Sequence, residues 1–298
     1  MLEFKEISID DKQKFIAFAN QTNSIMSDRT FATMFAWGKH LQIQLCFYDK
    51  HMFMCSFADK NMLKYYMPLG GEDIFPALEI ISSDAFERKK PYKIIMASEQ
   101  ETAMILEHYK EKCVANPLEN EFDYIYDAQS LITLSGKHLH AKRNYVNRFI
   151  STYEGRWTYT DVDPVSDKDE IFEFLAEWCT ERNESKKDCG FEKSAIERLI
   201  DNYTSLDLIS GIIRIDEKII ALTIATHQNS KVIDIMIEKA ETEYEGAYQM
   251  INREFALRNF ENIEYINREE DMGIETLRQA KLSYYPAFLE KKYEIIFV

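Results

Sequence analysis

Apolar positions along the chain change period repeatedly, from the three-to-four spacing of helices to the alternation of strands. A helix is expected over Asp11–Asn20, with Phe15, Ile16 and Phe18 on its apolar side and Asp10 or Asp11 as cap. Ser27-Asp28 precede Phe31, Met34, Phe35 and Trp37, which share a helical face. Strand-like runs follow at 41–48 and 52–57 around Asp49-Lys50-His51, a hairpin signal. A third short strand at 64–67 is ended by Pro68-Leu69-Gly70-Gly71. Helix 72–88, strand 92–97, helix 99–111 and a closing strand 122–126 complete this half.

The second half runs in the same order. Helices are expected at 168–182 and 192–203, then strands at 208–215, 218–226 and 231–237 joined by tight turns at Asp216-Glu217 and Asn229-Ser230. Helix 246–259, strand 263–266, helix 274–281 and final strands within 287–298 follow. This is an α+β (mixed α/β) pattern, not strict βαβ alternation. Its order resembles the GNAT (Gcn5-related N-acetyltransferase) fold, twice. The expectation is two tandem GNAT-like domains, residues 1–127 and 151–298, joined by a basic helix within 128–150; one larger mixed sheet is the alternative.

Composition narrows the class. Apolar residues are 46% and charged residues 29%, a globular balance. The formal charge of −15 repels nucleic acid and anionic lipid in general, so any polyanion must meet a local basic patch. The five cysteines contain no CxxC pair and are read as reduced; the six histidines show no metal spacing, so no metal is expected. No signal-like start and no run of about 18 apolar residues is present, which reads as a cytoplasmic protein without a transmembrane segment.

The basic patch is Gly136–Phe149, with Lys137, Lys142, Arg143 and Arg148 and no acid until Glu154. Leu139, Val146 and Phe149 or Ile150 form its apolar edge. Such a helix holds phosphates through point charges and forks, or pairs with acids elsewhere in the chain.

Three further segments carry candidate chemistry. A GNAT-like fold holds the acyl-CoA pyrophosphate at a helix N-terminus, within Arg/Gln-x-x-Gly-x-Gly/Ala. The matching stretch here is Glu241-Thr242-Glu243-Tyr244-Glu245-Gly246-Ala247. Its three carboxylates would repel a pyrophosphate, although acids also stabilise a helix start by themselves. Acyl-CoA is therefore disfavoured, and no bound cofactor is expected. Asp234 and Glu238, four apart in a strand, should share a face, where they could bind an ammonium or take a proton from an attacking amine, unless they lie on an exposed edge. Asn267-Arg268-Glu269-Glu270-Asp271-Met272-Gly273 is dense polarity at a strand end, where open sheets place ligand contacts. Tyr284 or Tyr285 could serve as general acid, or pack in the core.

Ser27-Asp28 with Phe31 and Trp37, the basic helix, Glu245-Gly246-Ala247, and Asn267–Gly273 running on to Leu277-Arg278, Lys281 and Tyr284-Tyr285-Pro286 together resemble the phosphatidylglycerol lysyltransferase C-terminal domain family. The resemblance implies paired GNAT-like domains that pass an aminoacyl group from a charged tRNA to an acceptor. It implies that Lys142, Arg143 and Arg148 approach the tRNA, and that Asp234 and Glu238 lie near the aminoacyl amine. Gly246, Asn267, Arg268, Glu270 and Asp271 would be substrate-binding, with Tyr284 catalytic. The acidic surface disfavours an anionic lipid, so the acceptor is a lipid headgroup or a soluble amine or hydroxyl. The rival readings are an acyl-CoA-dependent N-acyltransferase and a non-catalytic binding protein on this scaffold.

Overall fold

Most elements follow from the patterns above with shifts at their ends; those at Lys5–Glu6, Cys113–Pro117, Ala128–Thr133 and Trp157–Thr160 are additional. The protein is described from a computed structural model that covers residues 1–22, 24–181 and 186–298. In chain order the first elements are β1 (Lys5–Glu6), α1 (Lys12–Ala19), α2 (Phe31–Gly38), β2 (Ile43–Tyr48), β3 (His51–Ser56), β4 (Leu63–Tyr66), α3 (Phe75–Glu87), β5 (Tyr92–Ala97), α4 (Glu99–Tyr109) and β6 (Cys113–Pro117). Next come β7 (Asp123–Asp127), α5 (Ala128–Thr133), α6 (His140–Thr152), β8 (Trp157–Thr160), α7 (Lys168–Glu181), α8 (Lys186–Asp201), β9 (Leu208–Ile215), β10 (Lys218–His227), β11 (Val232–Ala240) and α9 (Ala247–Asn259). The chain closes with β12 (Tyr265–Asn267), α10 (Glu275–Leu282), β13 (Phe288–Glu290) and β14 (Tyr293–Phe297). Local chemistry sets the starts: Ser98 and Glu101 form a reciprocal capping box on α4, and the Asp127 carboxylate accepts from the Ser130 N–H at 2.7 Å to open α5. Arg182, expected at the end of a helix, lies outside the described residues.

The chain divides into two units. The first comprises Met1–Asp123, Glu270–Ile274 and Leu289–Val298; the second comprises Tyr124–Glu269 and Glu275–Phe288. The first sheet has strand order β1-β2-β3-β4-β5-β14-β6, and the second β13-β7-β12-β11-β10-β9-β8. Both are mixed: β4 runs parallel to β5 and β11 parallel to β12, with antiparallel partners around them. Phe53, Tyr65, Ile81, Ile94 and Ile295 fill the first core, and Phe149, Ile233, Ile251, Phe255 and Ile266 the second. Each such side chain contributes roughly 1.5–3 kcal/mol on leaving water.

These boundaries differ from the sequence-based ones in three ways. The strand expected to close the first half is β7 of the second sheet, paired with β12. The final strands do not both close the second half: β14 inserts between β5 and β6 of the first sheet. Its alternation suits either sheet, and the pairing is decided by partners almost 200 residues away, such as Ile295 opposite Ile94. The basic helix α6 is not a linker: it packs inside the second unit through Val146 and Phe149. The cysteine reading also changes. Cys46, Cys55 and Cys113 are buried thiols, but Cys179 on α7 and Cys189 on α8 form a disulfide. The two helices bring these Cα atoms within 6.2 Å, inside the range a disulfide spans.

The first unit carries a buried charge cluster. Lys292, 1% exposed, donates to Ser27 Oγ at 3.1 Å and pairs with Asp123 Oδ1 at 2.8 Å and Asp28 Oδ2 at 2.5 Å. Asp123 also accepts from the Ser27 N–H at 2.7 Å. Burial would lower the Lys292 pKa, but Asp123, Asp28 and Glu270 hold it well above its ordinary value. Replacing Lys292 by Met would leave Asp123 and Asp28 without their cation. The expected loss is ~3–5 kcal/mol of stability, read as a fall in the urea midpoint; an unchanged midpoint would show the cluster to be neutral.

Candidate functional site

The second sheet opens where β11 and β12 part. They pair only at Val232↔Tyr265, Ile233↔Ile266 and Asp234↔Asn267, while β11 runs on to Ala240. A bulge sharpens the separation. Ile224 pairs with Ile237 and Ala225 with Ile235, so β11 holds one extra residue, Met236. The bulge also corrects the expected pairing of acids. Asp234 lies opposite Thr226 and Glu238 opposite Thr223. Those threonines are three apart on a regular stretch, so the two carboxylates lie on opposite sheet faces. A spacing of four places side chains on one face only when no residue is inserted.

Glu238 and Arg268 bridge the parted strands. Arg268, the first residue after β12, pairs its Nη2 with Glu238 Oε1 at 2.6 Å. The other carboxylate oxygen accepts from Asn252 Nδ2 of α9 at 3.0 Å. The guanidinium lies against the rings of Tyr126 and Tyr284, at 5.3 and 4.9 Å. Lys142 of α6 joins the same cluster: its Nζ donates to Ser283 Oγ at 2.7 Å and sits 4.2 Å from the centre of the Tyr284 ring. Burial, then the like charge of Arg268, push the Lys142 pKa down to about 8. Burial raises the Tyr284 hydroxyl well above its ordinary value, so it stays protonated.

Polar atoms in this cluster are left open. Arg268 Nη1, Asn252 Oδ1 and Thr223 Oγ1 are buried and make no hydrogen bond. Two are donors and one is an acceptor, the complement of a ligand with a carbonyl and an amine. The cluster is held from behind by Lys281, whose Nζ donates to the carbonyls of Arg268 and, at 3.1 Å, Glu269. Tyr126 donates its hydroxyl to the Lys281 carbonyl at 2.8 Å.

The remaining expected residues have other places. Arg143 donates to the carbonyls of Leu134 and Gly136, closing the end of α5. Arg148 pairs with Glu245 on the surface. Of the basic helix, only Lys142 thus enters the cluster. Asn267 is buried and accepts from the Glu269 N–H at 2.7 Å, which turns the chain out of β12. Glu270 and Asp271 belong to the first unit. There burial pushes the Glu270 pKa up to about 7 against the pull of Lys292, and Asp271 accepts from the Gly273 N–H. Tyr285 is exposed and packs on His138.

Gly246 caps α9 with φ +91°. A Cβ at this glycine would stand 2.6 Å from the Tyr145 carbonyl oxygen, so its bareness serves the close approach of α6. Glu241 is buried and pairs with Lys218 at 3.1 Å. Sequence reasoning missed Asn252, Thr223 and Tyr126. Asn252 had a readable signal: it is a polar residue at the helical phase of Tyr248, Phe255 and Ala256.

The chain matches the phosphatidylglycerol lysyltransferase C-terminal family over residues 19–296. It belongs to this family. An uncharacterized protein of Mycoplasmoides gallisepticum is 29% identical over 178 residues, 59% of this chain and 56% of that protein. The match thus spans little more than half of that curated relative. A crystal structure of a conserved protein of unknown function from Bacteroides thetaiotaomicron superposes with a TM-score of 0.94 at 33% identity, over 100% of both chains. The L-PGS structure from Bacillus licheniformis gives a TM-score of 0.66 at 15% identity, over 96% of this chain and 92% of that one. A tandem GNAT protein of the clavulanic acid biosynthesis pathway gives 0.54 at 10%, over 100% and 98%. The last two share the fold, which is the tandem GNAT-like architecture of the family. Among the described residues, no helix of this family member is long and apolar enough to cross a membrane.

Gly246→Ala tests the packing of α6 on α9. Both the positive φ and the Tyr145 carbonyl oppose the methyl, so a loss of ~1–3 kcal/mol is expected in urea unfolding.

Proposed function

We propose that the chain transfers an aminoacyl group from a charged tRNA to an amine or hydroxyl acceptor, a lipid headgroup or a soluble molecule. The observation that carries this is the Glu238–Arg268 bridge, 2.6 Å long, between the parted strands. In a GNAT-like fold the pantetheine arm of acyl-CoA enters at that gap, with the pyrophosphate at the N-terminus of the next helix. Here the gap holds an ion pair, and the Tyr145 carbonyl of α6 approaches the glycine that caps the helix start. Both features disfavour acyl-CoA and leave a donor that carries its own activated ester. Family membership supports the same donor class. We further propose a cytoplasmic setting, where charged tRNA is found.

The open atoms suit such an ester. Arg268 Nη1 would donate to the ester carbonyl as it gains negative charge, and Asn252 Oδ1 would accept from the aminoacyl amine. Lys142, neutral above pH of about 8, would take the proton of the attacking amine or hydroxyl. The new bond forms at the carbonyl carbon and the ester C–O bond breaks. Lys142 returns the proton to the departing ribose oxygen. Tyr284 positions both cations with its ring. Asp234, on the other sheet face, has no part in this step.

The deciding experiment incubates the protein with labelled aminoacyl-tRNA and, separately, labelled acetyl-CoA, with acceptor extracts. Aminoacyl label should move to a new product and acetyl label should not; the reverse outcome would replace this reading with N-acetyl transfer. The role of Lys142 has its own signature. Only the neutral amine accepts a proton, so kcat should rise with pH through about 8 and then level. Lys142→Met should lose about 10²–10⁴-fold in kcat together with that limb. A variant that keeps the limb would assign the titration elsewhere.

A further inference from the structure

We propose that Cys179 and Cys189 form a reversible thiol–disulfide switch that holds Glu238 and Asn252 in place when oxidised and loosens them when reduced. The inference rests on the aminoacyl-transfer reading above only for its effect on rate.

The pair is placed for exchange. Cys179 lies near the end of α7 and Cys189 in the first turn of α8, ten residues on. Both are partly exposed. The other three cysteines are buried thiols; burial pushes Cys55 up to about 12 and raises Cys46 and Cys113. The thiolate is the species that exchanges, so reactivity is confined to one pair. In the cytoplasmic setting proposed above, a disulfide with accessible sulfurs is one that is made and broken.

The bridge sits beside a clamp on β11. Trp178, next to Cys179, has its ring centre 3.3 Å from Lys239 Nζ. Glu192, one turn after Cys189 on α8, pairs with the same nitrogen at 3.0 Å. Trp178 Nε1 also donates to the Tyr248 hydroxyl of α9 at 3.1 Å. Trp178 and Lys239 are both buried. The disulfide thus ties together the two helices whose side chains grip Lys239. Lys239 follows Glu238 in β11 and points to the other face, so a grip on one fixes the backbone that carries the other. Tyr248 stands one turn before Asn252, which holds the second oxygen of Glu238. Without the bridge, α7 and α8 are free to part at this end, and the grip on β11 and α9 relaxes with them.

The step balances with a dithiol as reductant. One of its thiolates attacks a sulfur of the bridge, the S–S bond breaks, and the other cysteine leaves as a thiolate that takes up a proton. The reductant's second thiol then attacks the mixed disulfide, frees the second cysteine and closes a disulfide of its own. Two electrons and two protons pass to the protein. A disulfide oxidant reverses each step.

The test reduces the full chain with dithiothreitol and re-oxidises it with glutathione disulfide. A thiol reagent should find no reactive cysteine in the oxidised native protein and two in the reduced one. Amide hydrogen exchange over residues 237–241 and 247–252 should quicken about tenfold or more on reduction and return on re-oxidation. Aminoacyl transfer should fall about ten- to hundredfold in kcat/KM in step with it. The Cys179→Ser/Cys189→Ser variant should match the reduced protein and respond to neither reagent. Two thiols that persist after oxidation overturn the switch. So does reduction that leaves exchange over these segments unchanged, which would make the bridge a staple, and so does quickened exchange with an unchanged transfer rate. A full exchange response with no aminoacyl transfer in either redox state overturns the transfer reading and supports the coupling of the bridge to Glu238 and Asn252.

Discussion

The ion pair of Glu238 and Arg268 is the constraint on which the second unit's chemistry depends. Two charges removed from water cost several kcal/mol each, and Coulomb attraction alone seldom offsets that. This pair is sustained by additional contacts. Asn252 satisfies the second carboxylate oxygen, and Tyr126 and Tyr284 offer their ring faces to the guanidinium. Lys281 fixes the carbonyls of residues 268 and 269, so the arginine leaves β12 at a set angle. Strands β7 and β11 and helices α9 and α10 thus supply the surroundings of one guanidinium, and one of its nitrogens is still left open. A buried donor left unused within so well supported a cation is the feature on which the proposed function rests.

The same logic separates the charges that form the site from those that form the fold. The basic helix looks uniform in sequence, but its three expected contacts have three different fates. Lys142 turns inward to Tyr284, Arg143 closes α5, and Arg148 pairs with Glu245. In the first unit Lys292 does for Ser27, Asp28 and Asp123 what Arg268 does for Glu238: it gathers distant segments around a buried charge. The difference lies in satisfaction. Lys292 pairs with Asp123 and Asp28 and donates to Ser27 Oγ, whereas Arg268 keeps one nitrogen without a hydrogen bond.

Much of this was legible in the sequence. Strands 92–97 and 208–215 and the strand–helix alternation around them follow from side-chain periodicity, and the string Asn267–Pro286 supports the family. Short edge strands were not legible: β8 alternates half-buried and exposed residues, and β6 buries only Cys113. Period alone cannot assign such strands. The bulge at Met236 was also hidden, because one inserted residue leaves the apolar run from Ile235 to Ile237 unbroken while reversing every face beyond it. The Asn267–Asp271 string read as one pocket rim, yet its members divide between the two units. Partner choice was the common limit. Lys142, Arg143 and Arg148 differ in what they meet, and those partners lie up to 142 residues away in sequence or on the helix's own flank.

The proposed aminoacyl donor would give physical sense to these features of the second unit. A thioester donor built on a nucleotide needs a place for its pyrophosphate, and a helix N-terminus supplies one. An aminoacyl ester brings no pyrophosphate. Once that demand is gone, the start of α9 is free to be packed, and the approach of α6 to Gly246 does so. That packing goes with the contact of Lys142 on Tyr284, because Lys142 and Tyr145 lie on the same helix, α6, that approaches Gly246. The close approach of α6 to Gly246 and the placing of the Lys142 amine on Tyr284 are therefore a single structural event. The bareness of Gly246, which in an acyl-CoA enzyme would admit a phosphate, here admits a helix, and with it the group best placed to move a proton.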